Sequence, residues 1–230
     1  MTGADLADLT ALRRVVYDTL AAEGRAPSLR EIGRRAGCTP DEAGQGLAVL
    51  AAQHALVLTA DGDAVRMAHP FSAAPMAFVV APLDGTDDRR WWGGCAWDSF
   101  GISAALQLDV LIDTACPDCG RLLRVPAGPS RPPADGDLAV WFPLPAARWW
   151  DNVVRTCTSI RLCCDQDHAQ RWAAATGQSD GQVAAAAAVW KLAQPWYGDR
   201  LREDFVPHTR EHNQALLEAT GLTGPFWRLP

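Results

Sequence analysis

Apolar residues recur at helical spacing near the start of the chain. Leu9, Leu12, Val15, Val16 and Leu20, with Thr19 among them, predict a first helix. Ser28 followed by Glu31 forms a capping-box pattern after Pro27, which predicts a second helix carrying Ile32 and Ala36 and stopping at Gly37. Thr39, Pro40 and Glu42 repeat the signal and predict a third helix through Leu47, Val49 and Leu50 to about His54. The short apolar runs 56–59 and 64–68 flank Ala60-Asp61-Gly62-Asp63 and predict a hairpin.

Beyond the link His69-Pro70-Phe71-Ser72 the pattern changes. Segments 78–81, 110–113, 122–125, 138–142 and 159–162 suit short strands. Helices are expected after Cys95 to about Leu108, and from Asp165 to about Ala175. The alanine run from Gln182 to Leu192 reads as helix, and 126–137 as a Gly/Pro/Ser-rich connection. The fold class predicted is α+β. A winged-helix-like three-helix domain (1–70) precedes a mixed or antiparallel sheet core with flanking helices (71–192), and a helical C-terminal extension (193–230) follows.

Charge narrows the partners. The 230 residues carry a net charge of −6, which gives no general attraction to phosphates, so neither nucleic acid nor an anionic membrane is expected as a partner. The third helix contains Asp41 and Glu42 but no Lys or Arg, so it lacks the basic face of a recognition helix. A scaffold domain is the expectation, with a winged-helix regulator as the disfavoured alternative. No apolar stretch approaches the roughly 20 residues that span a bilayer. Asp5 and Asp8 replace the basic region of a signal peptide. A cytoplasmic location follows as the expectation.

Seven cysteines, an odd number, argue against a disulfide framework and for free thiols, metal binding or thiolate chemistry. The sharpest local feature is Trp91-Trp92-Gly93-Gly94-Cys95-Ala96-Trp97-Asp98. A cysteine at a helix start feels the positive end of the helix dipole, which favours thiolate. Asp98, three residues on, shares its face and makes a thiol–carboxylate proton relay. A buried core cysteine beside an ordinary first-turn aspartate is the plainer reading of the same spacing.

His69-Pro70-Phe71-Ser72 with Pro75, then Trp92-Gly93-Gly94-Cys95-Ala96-Trp97-Asp98, then Thr156-Cys157 and Trp172 resemble the organomercurial (alkylmercury) lyases in order and spacing. The resemblance spans about residues 5–190. It implies a winged-helix-like N-terminal domain and a catalytic core with Cys157 on a strand before a Trp-bearing helix. The activity it implies is protonolysis of a carbon–mercury bond. Cys95 and Cys157 would bind the substrate mercury as soft ligands, and Asp98 would carry the proton to the leaving carbon. No cofactor is required by that chemistry. The partners implied are an organometallic or thiol-reactive small molecule and the small cellular thiols that remove the mercuric product.

Several residues depart from the family pattern. Gly93 and Gly94 stand where larger residues are usual, which leaves room beside the thiol, and Trp97 adds an aromatic wall. Leu162-Cys163-Cys164 replaces a Phe-rich segment, and the chain runs on through Trp196-Tyr197 to Phe226-Trp227-Arg228. These departures motivate an alternative in which the same relay acts on a non-mercury substrate of specialised metabolism. Cys116-Pro117-Asp118-Cys119-Gly120 has zinc-knuckle spacing, and Cys164 with His168, or Cys163, could complete a structural zinc site. A non-catalytic, metal-binding protein is therefore the reading from a different class. His208 and His212 have helical metal-pair spacing without a third ligand, and read as a solvated tail helix.

Overall fold

The computed structural model describes residues 6–85, 87–178 and 180–230, with side chains from Leu9 onward; Asp5, on which the signal-peptide expectation partly rests, and the side chain of Asp8 lie outside them. Helices α1 (Leu6–Glu23), α2 (Leu29–Ala36) and α3 (Pro40–Ala52) open the fold. Both capping boxes form: Ser28 and Thr39 accept from the backbone N–H groups of Glu31 and Glu42, whose carboxylates reach back. They satisfy helix N-terminal donors that packing alone would leave without partners. The hairpin follows as β1 (Val57–Leu58) and β2 (Val65–Ala68).

The chain then lays down β3 (Phe71–Ser72), β4 (Phe78–Pro82) and β5 (Trp91–Gly93), enters α4 (Ala96–Leu106), and returns through β6 (Val110–Ala115) and β7 (Leu122–Ala127). These strands form one seven-stranded sheet in the order β1-β2-β3-β5-β4-β6-β7, with antiparallel neighbours throughout. The sheet crosses residue 70, so the hairpin of the N-terminal segment is an edge of the core sheet. Trp91 reinforces the join, its indole N–H donating to the Leu20 and Ala21 carbonyls at 3.0 and 3.1 Å.

A second, three-stranded sheet contains β8 (Ala139–Phe142), β9 (Arg161–Cys163) and β10 (Gln182–Ala185), with β8 in the middle. Helices α5 (Val153–Ser159), α6 (Gln166–Ala175), α7 (Ala186–Tyr197) and α8 (Arg210–Ala219) complete the fold. The α+β class is as expected, with two local corrections. Cys157 lies on α5 rather than on a strand, because Asn152 caps that segment through its side-chain oxygen. The alanine run begins as strand: Gln182–Ala185 pairs with Phe142–Ala139, and helix starts only at Ala186. The boundary expected at 192 falls inside α7.

Helix α4 is the centre of the molecule. Every residue from Ala96 to Ala105 is buried, so its surroundings must be covered on all sides. Gly101 permits the close approach of α7, since a Cβ there would run into the Tyr197 ring.

Candidate active site

The turn from β5 into α4 presents Cys95 as the N-cap residue. Its sulfur accepts from the Asp98 backbone N–H at 3.3 Å, and the Asp98 carboxylate folds back toward it. Cys95 Sγ lies 3.2 Å from Asp98 Oδ2. The Ala96 N–H donates to the Ile160 carbonyl at 3.2 Å, which ties this turn to the end of α5. That link brings in Cys157, whose Sγ lies 3.8 Å from the same Oδ2. The structure thus unites Cys95, Asp98 and Cys157, which are far apart in sequence.

Two further residues complete the arrangement, and sequence reasoning gave neither a role. His69 Nδ1 lies 3.3 Å from Asp98 Oδ2. The Tyr197 hydroxyl donates to Asp98 Oδ1 at 2.7 Å. Both oxygens of one carboxylate are therefore engaged, one by a phenol and the other by two thiols and an imidazole. His69 was visible as the first residue of the His-Pro-Phe-Ser segment. Tyr197 carried no local signal, because only the packing of α7 on α4 brings it to Asp98.

Burial sets the electrostatics. Cys95 and Asp98 are each 1% exposed and Cys157 6%. Burial pushes the Cys95 thiol well above its ordinary range; its contact with Cys157 and the Asp98 charge push the same way. For Cys157, the hydrogen bond with Cys95 acts downward, but burial and Asp98 outweigh it and the net shift is upward. Desolvation beside a carboxylate thus opposes the helix dipole that was expected to favour thiolate at Cys95. Burial likewise pushes the Tyr197 hydroxyl well above its ordinary range, with Asp98 adding to it, so it serves as a donor.

The two glycines before Cys95 leave no empty space. A Cβ on Gly94 would run into Asp98 Oδ2 and Met67 Cε, and one on Gly93 into the Ser99 side chain. The room expected beside the thiol is where the Asp98 carboxylate itself packs. Trp97 is walled in by Trp149, Trp196 and Tyr197, with ring centroids 5.3, 4.9 and 5.6 Å away. It buttresses the tyrosine that holds Asp98. On the outer side Trp150 stacks on His54 at 4.1 Å and meets His69 edge-on at 5.9 Å.

The remaining candidate ligands gather elsewhere. Cys116, Cys119 and Cys164 bring their sulfurs within 4.8 Å of one another. His168 is not in that group; its Nδ1 lies 2.6 Å from Asp118 Oδ2, which Arg171 also holds. Burial acts upward on the Cys116 thiol, but the backbone N–H groups of Cys119, Cys164 and Asp118 and the Cys119 side chain bring it down to about 7. The tail histidines face each other 4.6 Å apart, and His208 pairs with Asp199 at 2.8 Å.

A family model described as alkylmercury lyase matches residues 71–198. Among solved structures, the mercury-bound form of MerB2 superposes with a TM-score of 0.62 at 19% identity, over 86% of this chain and 91% of that one. That likeness concerns the fold. No curated protein matches the sequence significantly.

Proposed function

The chain belongs to the alkylmercury lyase family, lyases that cleave carbon–mercury bonds, and from that premise we propose that Cys95, Cys157 and Asp98 perform the protonolysis. One observation carries the assignment: a single carboxylate oxygen, Asp98 Oδ2, lies 3.2 Å from one thiol and 3.8 Å from the other.

A substrate R–Hg–X enters with X a small thiolate. One thiol binds mercury and loses its proton to Asp98, since a sulfur–mercury bond replaces the sulfur–hydrogen bond. The second sulfur adds, and its proton leaves with X as H–X. Two thiolates donate electron density to the soft ion and weaken its bond to carbon. Asp98, now the acid, delivers its proton to the carbon that departs. The balance is R–Hg–X plus two thiols giving R–H, a bis-thiolate mercury and H–X. Small thiols then displace the mercuric ion and return the protons to sulfur.

The other residues prepare the carboxylate. Tyr197 fixes Oδ1, leaving Oδ2 aimed at the sulfurs. His69 Nδ1, 3.3 Å from Oδ2, keeps its orientation without removing it from the thiols. Burial keeps proton exchange with water out of the relay and strengthens each charge interaction within it.

Incubating the reduced protein with phenylmercury and excess small thiol tests the reading. Benzene is expected with turnover beyond a single equivalent, and its loss in Cys157→Ser is expected with the fold retained. Mercury binding without benzene, or full turnover in Cys157→Ser, would overturn the assignment.

A further inference from the structure

We propose that Cys116, Cys119 and Cys164 form a second, structural metal site that holds zinc and staples the two sheets together. The site is separate from the relay and uses none of its residues.

Three observations carry it. Cys119 Sγ and Cys164 Sγ lie 3.8 Å apart, and all three sulfurs lie within 4.8 Å of one another. Tetrahedral zinc with bonds near 2.3 Å sets adjacent sulfurs about 3.8 Å apart, whereas a disulfide holds its sulfurs at about 2 Å. All three cysteines are free.

The backbone is shaped for a bound thiolate. In Cys116-Pro117-Asp118-Cys119-Gly120 the Gly120 N–H donates to the Cys116 carbonyl at 2.9 Å, and the Cys116 N–H to the Arg121 carbonyl at 2.9 Å. Gly120 sits at φ +74°, a left-handed position that glycine adopts without strain. The turn so closed brings Cys119 round to the same side as Cys116, within reach of Cys164.

The surroundings are ordered as an outer shell. Asp118, between the two knuckle cysteines, is clamped by His168 at 2.6 Å and by Arg171 at 2.9 Å, both from α6. His168 is engaged by Asp118 and does not supply a further ligand.

The placement gives the metal a purpose. Cys116 and Cys119 lie in the β6–β7 turn of the large sheet, and Cys164 follows β9 of the small one. A zinc ion here joins the sheets immediately downstream of α5, the helix that carries Cys157.

Metal analysis by mass spectrometry of the full-length protein, purified from zinc-supplemented medium and desalted, decides the matter. One zinc per chain is expected in the wild type and in Cys95→Ser/Cys157→Ser. It is expected to be lost from Cys119→Ser/Cys164→Ser and weakened in Cys119→Ser alone, an exposed position. Cobalt exchanged into the wild type should show thiolate-to-metal charge-transfer absorption that the double variant lacks. A metal-free wild type, zinc retained by the double variant, a Cys119–Cys164 disulfide in the intact mass, or sulfurs that take only a mercuric ion would each overturn the proposal.

Discussion

At the scale of single residues, the proposed chemistry depends on thiols that keep their protons until mercury displaces them. Burial and the neighbouring carboxylate raise Cys95, so its thiolate fraction grows only above the ordinary thiol range. Alkylation of Cys95 by iodoacetamide, followed by peptide mass spectrometry, should therefore remain slow through about pH 9. Half-maximal labelling at or below that pH would contradict the account. In the proposed relay Tyr197 acts through Asp98, to which its hydroxyl donates. Removing a hydrogen bond to a charged group costs roughly 1.5–3 kcal/mol, so Tyr197→Phe should slow benzene release by about 10- to 100-fold. Mercury uptake should be unchanged; an unaltered rate would make Tyr197 merely structural. The sequence displayed Cys95 and Asp98 together because they share one helical turn. Cys157 came through the family resemblance, and Tyr197 was hidden because ninety-nine residues separate it from its partner.

At the scale of elements, local chemistry was readable wherever a side chain satisfied its own backbone. The capping boxes at Ser28 and Thr39 and the turn at Gly62 fixed their elements from short-range signals alone. The errors arose where tertiary pairing or an unnoticed cap prevailed. The family resemblance implied a strand at Cys157, but Asn152 caps Val153–Ser159 as a helix. Gln182–Ala185 suits a helix until the open edge of β8 recruits it. The β5–α4 junction shows the same dependence on packing, because Gly94 is small to admit Asp98. Gly94→Ala should displace the carboxylate and lower turnover on the order of 100-fold, with a stability loss of about 1–3 kcal/mol. Urea unfolding and benzene release measured on the same preparation separate the two effects. A variant with wild-type turnover would mean that Asp98 tolerates another position.

At the scale of the whole molecule, the three segments anticipated from sequence are joined at their seams. The N-terminal hairpin edges the main sheet. The C-terminal segment supplies Tyr197 and then crosses back to α1, where Arg13 donates to the Arg200 carbonyl at 2.8 Å and lies over the Phe205 ring. Trp227, only 3% exposed, packs on Phe142 and Trp149, and Trp149 in turn contacts Trp97. Trp227→Ala should cost about 3–5 kcal/mol in urea unfolding; a loss below about 1 kcal/mol would show that the tail is an appendage. Among the described residues no helix is long and apolar enough to cross a membrane. The central claim is that one carboxylate receives a thiol proton and returns it to carbon. Asp98→Asn preserves shape and the acceptor for Tyr197 but cannot carry that proton. The decisive measurement is the rate of benzene release from phenylmercury by Asp98→Asn beside the mercury bound per chain. The account predicts mercury held at the thiols and a rate lower by at least about 100-fold; benzene released at nearly the wild-type rate would contradict it.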